Sequence, residues 1–283
     1  MPDLEEIRAT WGRDTGWRAR GDEWSGPWGG TEPLWWGTLW PRIHAFLPAA
    51  TVLELGPGQG RWSHYLRHQA ERLILVDVAQ HCIDACRQRF EGDPRLSYHV
   101  GDGRSLPMVA DQSVDFAFSF DSLVHAEADV LLGYAHELAR TLKPDGIAFL
   151  HHSNMGSYRR AAAVARRIPG RLRKPLTIQG LVVNLYAWRA ESTSAELFAR
   201  YCEQAGLACV GQELIVWEYG RYLSDVISMV TPRGSRWDRP RRVVRNRAFM
   251  QEAHQRARLS PLYTAGSWRD VSEGADLSRA KAG

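Results

Sequence analysis

Short apolar runs alternate with amphipathic stretches through the first half of the chain. The first two runs are residues 51–55 and 72–77, and residues 61–69 between them have helical periodicity. Apolar runs of this length, bounded by turns, are typical of buried parallel strands. The pattern predicts a strand–helix–strand unit, which is the beginning of an α/β fold.

The alternation continues beyond this unit and returns towards the C-terminus. A predicted helix over residues 194–205 ends at Gly206, because glycine commonly closes a helix. Residues 49–232 are therefore expected to form one α/β domain. Its further strands are predicted at residues 96–100, 114–120, 147–150, 209–218 and 222–230.

Three segments depart from the alternation. Residues 1–48 are rich in tryptophan and glycine and are expected to form a cap or lid, with a helix over residues 33–46. Residues 154–191 show few strand signals and form an insertion. Residues 233–283 are arginine-rich, and we expect a surface helix followed by a disordered end.

A glycine-rich turn with an acid inside it separates the first predicted strand from its helix. Residues 54–60 read ELGPGQG, which spaces the glycines as GxGxG and not as the GxGxxG of dinucleotide-binding turns. Glu54 would repel a pyrophosphate at the helix N-terminus, whereas Asp77, at the end of the next strand, can accept hydrogen bonds from ribose hydroxyls. The two acids favour a cofactor that carries a cation and a ribose.

Five motifs in the same order resemble those of the class I S-adenosylmethionine-dependent methyltransferases. The resemblance covers residues 50–153 and implies a Rossmann-like seven-stranded sheet ordered 3-2-1-4-5-7-6, with strand 7 antiparallel. It also implies S-adenosylmethionine as the cofactor and places the insertion, residues 154–191, beside the acceptor. The motifs are residues 54–60, Asp77, and residues 101–106, 120–123 and 142–146.

The resemblance implies roles for residues of these motifs. The glycine turn would wrap the methionine part of the cofactor, Asp77 would bind the ribose, and Asp102 would bind the adenine amino group. Two tryptophans of the N-terminal segment are expected to cover the cofactor, because an aromatic face stabilises a sulfonium; the alternative is that they pack on the core. The predicted cofactor-binding residues are Glu54, Gly56, Gly58, Gly60, Asp77, Asp102, Gly103, Phe120, Trp24 and Trp28.

Transfer to a hydroxyl requires a base, and histidine is the usual one near pH 7. Successive side chains of a strand point to opposite faces, so only one of the neighbouring His151 and His152 can face the mouth of the active site. We expect it to be His152. His125 is the second candidate base, although it could instead fix its loop. Asp121 would orient the base or lie near the amino end of the cofactor. The predicted catalytic residues are therefore His152, His125 and Asp121, and the predicted substrate-binding residues are His151, Asn154, Trp188 and Arg189.

A metal-assisted reaction would need a different set of side chains. Asp121, His125 and His152 could form a mixed site, but magnesium prefers oxygen ligands and no adjacent acidic pair occurs near the mouth. We therefore expect no metal. The four cysteines, which include Cys82 and Cys86, form no CxxC pair. We expect all of them to be free thiols.

Charge leaves a second class of acceptor open. The net charge is +4 and the pI is about 9.0, with arginines concentrated in residues 159–174 and 233–258, which allows an RNA methyltransferase. Such stretches are more often solvated helix faces, and residues 120–123 lack the Asn/Asp-Pro-Pro-aromatic motif common in enzymes that methylate bases. A binding protein on an inactive fold is disfavoured because the cofactor motifs are intact.

The sequence thus predicts an O-methyltransferase acting on a hydroxyl of a small polar acceptor, such as a sugar, a glycosylated natural product or a polysaccharide. A carboxyl O-methyltransferase and an RNA methyltransferase are the alternatives. The N-terminus has no apolar signal core and no run is long enough to span a membrane, so a cytoplasmic protein is expected. The oligomeric state stays open, with a homodimer as one option.

Overall fold

One eight-stranded sheet organises the protein. The computed structural model describes Trp17, residues 19–217 and residues 221–263. Within these residues the strand order is β3-β2-β1-β4-β5-β7-β6-β8. The strands are β1 (Ala49–Leu55), β2 (Ala70–Asp77), β3 (Leu96–Val100), β4 (Val114–Ser119), β5 (Leu142–Ser153), β6 (Leu207–Ile215), β7 (Asp225–Pro232) and β8 (Arg242–Asn246).

The registers bring the carboxyl ends of the central strands together. Leu53 of β1 lies opposite Ile74 of β2 and Ala117 of β4, and all three strands are parallel. β7 runs antiparallel to both β5 and β6. The predicted order of the first seven strands is therefore confirmed. Ligands of such sheets bind at the edge where the parallel strands end.

Helices cover both faces of the sheet. The N-terminal segment and the last helix lie over one face, and two long helices in the middle of the chain lie over the other. The α-helices are α1 (Thr31–Leu34), α2 (Trp40–Ile43), α3 (Ser63–Leu66), α4 (Gln80–Arg89), α5 (Ala128–Thr141), α6 (Arg159–Arg167), α7 (Gly170–Ile178), α8 (Ala195–Gln204) and α9 (Phe249–Tyr263). No helix in the described ranges is both long enough and apolar enough to cross a bilayer.

The C-terminal region contributes to the fold more than the sequence predicted. The prediction of seven strands is wrong by one, because an eighth strand, β8, pairs in parallel with the outer side of β6. The predicted surface helix exists as α9, but it buries Phe249, Met250 and Ala253. These side chains cover the aromatic rings of the N-terminal segment, which the strands alone leave open. The disordered end predicted beyond the helix lies outside the described residues.

The N-terminal segment is helical but irregular. The predicted helix over residues 33–46 is split between α1, a π-helix (Trp35–Leu39), α2 and a 3-10 turn. Pro41 has no N–H to donate to the carbonyl of Gly37, which disfavours a continuous α-helix there. Trp35 is buried and stacks on Tyr65 at 4.8 Å between ring centroids, so this tryptophan packs on the core.

Candidate functional site

A cleft opens at the carboxyl edge of β1, β2 and β4. The end of each strand contributes to its walls: Gly56 follows β1, Asp77 ends β2, and Ser122 follows β4. Gly103, from the loop after β3, and His125 complete the set of predicted site residues that line it. Four of the five sequence motifs therefore meet at one place, as expected for ligands of parallel sheets.

The glycine turn has a shape that other residues would disrupt. Gly56 has φ +69°, and a Cβ on it would lie 1.8 Å from the Oγ of Ser122. Gly58 has φ +56°, and a Cβ there would lie 2.6 Å from the ring of Trp17. L-residues rarely adopt such φ values, so glycine is required on both grounds. The indole of Trp17 thus lies against the turn, although the sequence did not single it out.

Asp77 is held by the turn that it faces. Its Oδ2 accepts a hydrogen bond from the backbone N–H of Gly58 at 3.0 Å, and its Oδ1 accepts one from Ala79 at 2.9 Å. Burial raises the pKa of the Asp77 carboxyl to about 6. A carboxylate has about four acceptor positions, so two remain available for the hydroxyls of a ribose.

Glu54 is the other acid of the cofactor motifs, and it is buried beneath the turn. Ser63 Oγ donates to its Oε2 at 2.6 Å, while its Oε1 has no hydrogen-bond partner among the described residues. Burial raises the pKa of Glu54 to about 8. At pH 7 this pKa favours the neutral acid, and a nearby cation would favour the carboxylate, so the residue fits a cofactor that carries an ammonium and a sulfonium.

The raised pKa values predict how the stability of the cofactor-free protein depends on pH. Between the unfolded pKa near 4.3 and the folded value, Glu54 binds more protons in the folded state, so the free energy of unfolding falls as pH rises from 5 to 8. The slope from one such group approaches about 1.4 kcal/mol per pH unit. Urea unfolding at stepped pH should show this fall, and Glu54→Gln should reduce it. An unchanged slope in that variant would contradict the buried-acid interpretation.

Asp102 lies on the loop after β3, but its carboxylate is engaged by the loop itself. Its Oδ1 accepts backbone N–H groups of Arg104 and Ser105, at 2.8 and 2.7 Å, and its Oδ2 accepts the hydroxyl of Ser105. These bonds shape the loop that brings Gly103 to the cleft. The binding of adenine by Asp102 stays a prediction.

The expected aromatic lid is not formed by the predicted residues. Trp28 is fully buried and packs between Trp217 and Phe249, at 5.4 and 6.0 Å between ring centroids. Trp24 is 42% exposed and does not line the cleft. Phe120 is also buried in this aromatic cluster and is absent from the cleft wall. The sequence did not indicate that α9 packs its apolar side chains against the N-terminal segment.

A buried network of opposite charges lies beyond the cleft, at the ends of β4 and β5. Arg189 donates from Nε to Asp225 Oδ2 at 2.9 Å, and its Nη2 is 3.6 Å from Asp121 Oδ1. Arg61 donates to Asp121 Oδ2 at 3.2 Å. Asp121 has φ +65°, an uncommon backbone state for a residue with a side chain and one often found at functional sites. The predicted contact of Arg189 with substrate stays a prediction.

The two neighbouring histidines of β5 point to opposite faces of the sheet, as expected, but His152 does not face the mouth of the active site. His152 is fully buried against Phe198 of α8, and its Nε2 hydrogen-bonds Ser228 Oγ at 2.9 Å, so its assignment to the mouth is wrong. The same burial lowers the pKa of His152 to about 3. His151 points to the other face of the sheet, where it is fully buried against Phe120 and Trp217 and joins the charged network through Asp225.

His151 is also unsuited to act as a base. Its Nδ1 accepts the backbone N–H of Asp121 at 3.1 Å, which leaves the proton on Nε2, facing Asp225 Oδ2 at 3.1 Å. Both ring nitrogens are therefore committed. His151 therefore orients the loop after β4 and the carboxylate of Asp225. This positioning role was not apparent from the sequence.

His125 remains in the cleft. Its Nδ1 lies within hydrogen-bond distance of the carbonyl oxygen of Trp188, and it can donate this hydrogen bond when Nδ1 carries the proton. Burial, together with the nearby positive charge of Arg189, lowers the pKa of His125 to about 4. The ring is therefore neutral at pH 7, and the tautomer protonated on Nδ1 carries its lone pair on Nε2.

The other predicted residues of this region have structural partners. The side chain of Asn154 donates to the carbonyl of Leu223 at 2.8 Å and accepts from the backbone N–H of Ala195 at 2.9 Å, which joins β5 to α8. The ring of Trp188 is 49% exposed. Because His152 lies on the other face of the sheet, the structure does not bring Asp121, His125 and His152 together as a metal site.

The comparisons with known proteins agree with this geometry. Residues 52–146 match the family described as a methyltransferase domain. The domain implies S-adenosylmethionine as the cofactor and a methyltransferase enzyme, so both expectations from the motifs are confirmed.

The fold is that of known methyltransferases, while the similar proteins act on different acceptors. An S-adenosylmethionine-dependent methyltransferase from Methanosarcina mazei superposes with a TM-score of 0.51 at 16% identity, over 68% of this chain and 97% of that one. The ribosomal RNA small subunit methyltransferase A of Parasynechococcus marenigrum (strain WH8102) is 37% identical over 68 residues, 24% of this chain and 22% of that protein. Malonyl-(acyl-carrier protein) O-methyltransferase of Yersinia pestis is 34% identical over 96 residues, 34% of each chain. The chain spans about a third or less of these two relatives.

Proposed function

We propose that the protein transfers a methyl group from S-adenosylmethionine to a hydroxyl of a small polar acceptor such as a sugar. The observation that supports this most directly is the position of His125. It lines the same cleft as Asp77 and Gly103 and is neutral at pH 7, although the lowered pKa that keeps it neutral also makes it a weaker base than an ordinary histidine. A neutral imidazole beside a cofactor cleft is suited to receive the proton of a hydroxyl.

Residues of the cleft would hold the donor and direct the acceptor. Asp77 would bind the ribose, and Glu54 would lie near the positively charged end. When bound, S-adenosylmethionine would supply an electrophilic methyl group, and its sulfur would keep the electron pair of the broken carbon–sulfur bond. As the acceptor oxygen bonds to the methyl carbon, Nε2 of His125 takes the hydroxyl proton. Holding the two reactants in line accounts for much of the acceleration in such a reaction.

Replacing His125 by alanine should therefore lower kcat for a hydroxyl acceptor by about 100-fold or more, the usual contribution of a general base. The affinity for S-adenosylmethionine should change little, which separates loss of the base from loss of the cofactor. His136→Ala is the matched control, because His136 is exposed on α5. The measurement is methyl transfer, by mass spectrometry, to a panel of sugars, carboxylates and tRNA.

Methylation of a carboxylate is the second candidate. Arg189 is buried, and its Nη2 forms no hydrogen bond with a described residue but lies 3.6 Å from Asp121 Oδ1, so an anionic oxygen would compete with Asp121 for this donor. One relative is an O-methyltransferase for a malonyl group carried on a protein. A carboxylate needs no base, so turnover of a carboxylate that survives in His125→Ala, with no transfer to any hydroxyl, would replace the first proposal by this one.

A further inference from the structure

The insertion between β5 and α8 exposes an unusual combination of side chains. Residues 155–188 contain seven lysines and arginines and no aspartate or glutamate. The same stretch exposes large apolar side chains, each about half exposed or more. These are Val164, Leu172, Ile178, Leu181 and Trp188. Exposed apolar groups interspersed with cations are typical of protein surfaces that bind anionic bilayers.

Helical spacing places the two kinds of side chain together. On α6, Arg160, Val164 and Arg167 follow one another at intervals of four and three residues, so they share a face. Ala162 and Ala165 point to the buried face of the same helix. The outward face of α6 is therefore basic and apolar at once.

The next helix repeats the arrangement. Arg171, Lys174 and Ile178 of α7 are spaced by three and four residues and are exposed, whereas Thr177 is buried. Neither Arg171 nor Lys174 forms an ion pair with a described residue. Their charges are not neutralised by neighbouring acids there, so they remain available to an anionic partner. We call the exposed side chains of α6, α7 and Leu181 the basic–apolar surface.

The surface adjoins the candidate active site. The backbone N–H of Ala190 donates to the carbonyl of Val124 at 2.9 Å, and the carbonyl of Trp188 contacts His125. Arg189, between these two residues, enters the buried charged network. The segment that carries the surface therefore ends in the wall of the cleft.

We propose that the basic–apolar surface docks the protein onto an anionic phospholipid bilayer, with the mouth of the cleft beside the membrane. Charge complementarity supplies the attraction, because each lysine or arginine near an anionic bilayer strengthens binding. The exposed aliphatic side chains decide between a bilayer and RNA. Insertion of valine, leucine and isoleucine among acyl chains buries apolar area and strengthens binding. RNA bases are instead recognised by stacking on aromatic side chains and by hydrogen bonds. The proposal is independent of the acceptor and holds for either candidate function.

The test is co-sedimentation of the full chain with vesicles. Binding is expected to vesicles of phosphatidylcholine mixed with phosphatidylglycerol, to weaken as salt is raised, and to be absent with phosphatidylcholine alone. Arg167→Gln combined with Arg171→Gln should weaken binding by about 30-fold. The control pair is Arg200→Gln with Arg233→Gln, at exposed arginines outside the surface, and it should change binding much less.

A second pair of variants tests the apolar part. Leu172→Ser with Ile178→Ser should weaken vesicle binding, while Leu259→Ser with Leu262→Ser, exposed on α9, should not. Circular dichroism and S-adenosylmethionine binding confirm that each variant is folded. The proposal is overturned if the anionic vesicles are not bound or if the control pairs act as strongly as the surface pairs. It is also overturned if the surface variants abolish tRNA binding or dissociate a dimer while the vesicles are never bound.

Discussion

Replacement of Asp77 by alanine is expected to weaken S-adenosylmethionine binding by at least about 100-fold. The carboxylate is positioned by the N–H groups of Gly58 and Ala79, and Asp77 lines the cleft. Hydrogen bonds to a charged group are worth about 1.5–3 kcal/mol each. The loss of two bonds to ribose hydroxyls thus amounts to about 3 kcal/mol or more, which corresponds to the stated change in affinity. Isothermal titration calorimetry measures it directly.

Two further variants separate ribose binding from damage to the turn. Asp77→Asn keeps the shape of the side chain but loses its charge, so its affinity should lie between those of the alanine variant and the parent protein. Asp84→Ala removes an exposed acid of α4 and should leave the affinity unchanged. If Asp77→Ala binds S-adenosylmethionine as tightly as the parent protein, the ribose is bound elsewhere.

Replacement of Arg189 by alanine should lower the free energy of unfolding by about 3–5 kcal/mol, the usual effect of removing one partner of a buried ion pair. Arg189 and Asp225 are both buried, and Asp225 Oδ1 already lacks a hydrogen-bond partner among the described residues. Without the guanidinium, His151 would be the remaining side-chain partner of Asp225 Oδ2. Urea unfolding at pH 7 provides the measurement, since the pKa of Asp225 is lowered in the folded protein.

A double variant tests whether the charge imbalance causes the loss. Arg189→Met combined with Asp225→Asn removes both charges and keeps similar volumes, so it should recover most of the stability lost in Arg189→Ala. Arg166→Ala is the exposed control, because it breaks a surface pair with Glu191 and should cost less than about 1 kcal/mol. Equal losses in the single and double variants would show that packing over Trp217, and not charge, determines the effect.

The cofactor side of the site was accessible from the sequence because its determinants are local. A glycine turn after an apolar run fixes its own backbone, and the order of the strands brings the ends of β1, β2 and β4 to one edge. Gly56, Asp77 and Gly103 meet there as predicted. The order of the first seven strands was implied by the resemblance to the class I S-adenosylmethionine-dependent methyltransferases, and the sheet has this order.

The acceptor side depends on contacts that are distant in the chain. Alternation showed that His151 and His152 face opposite sides of β5, but the apolar residues before them are buried on both faces and carry no signal as to which side is the mouth. Their directions follow from what covers each face, Trp217 on one and Phe198 on the other. These contacts join residues about 50–70 positions apart, so spacing could not resolve them.

Three further parts of the structure were missed. Trp28 is buried because α9 returns to cover it, and the arginine content of the tail concealed Phe249 and Met250 as core residues. Strand β8 consists mostly of exposed residues and has no apolar pattern to reveal it. A signal for Asp225 did exist, since it is a lone acid at the start of the apolar strand β7.

We expect the cleft at the ends of β1, β2 and β4 to hold the adenosyl group. A crystal structure with S-adenosylhomocysteine tests it most directly. We predict both ribose hydroxyls within hydrogen-bond distance of Asp77 and the amino-acid end of the ligand beside the glycine turn above Glu54. A ligand bound away from these two carboxylates would contradict the account.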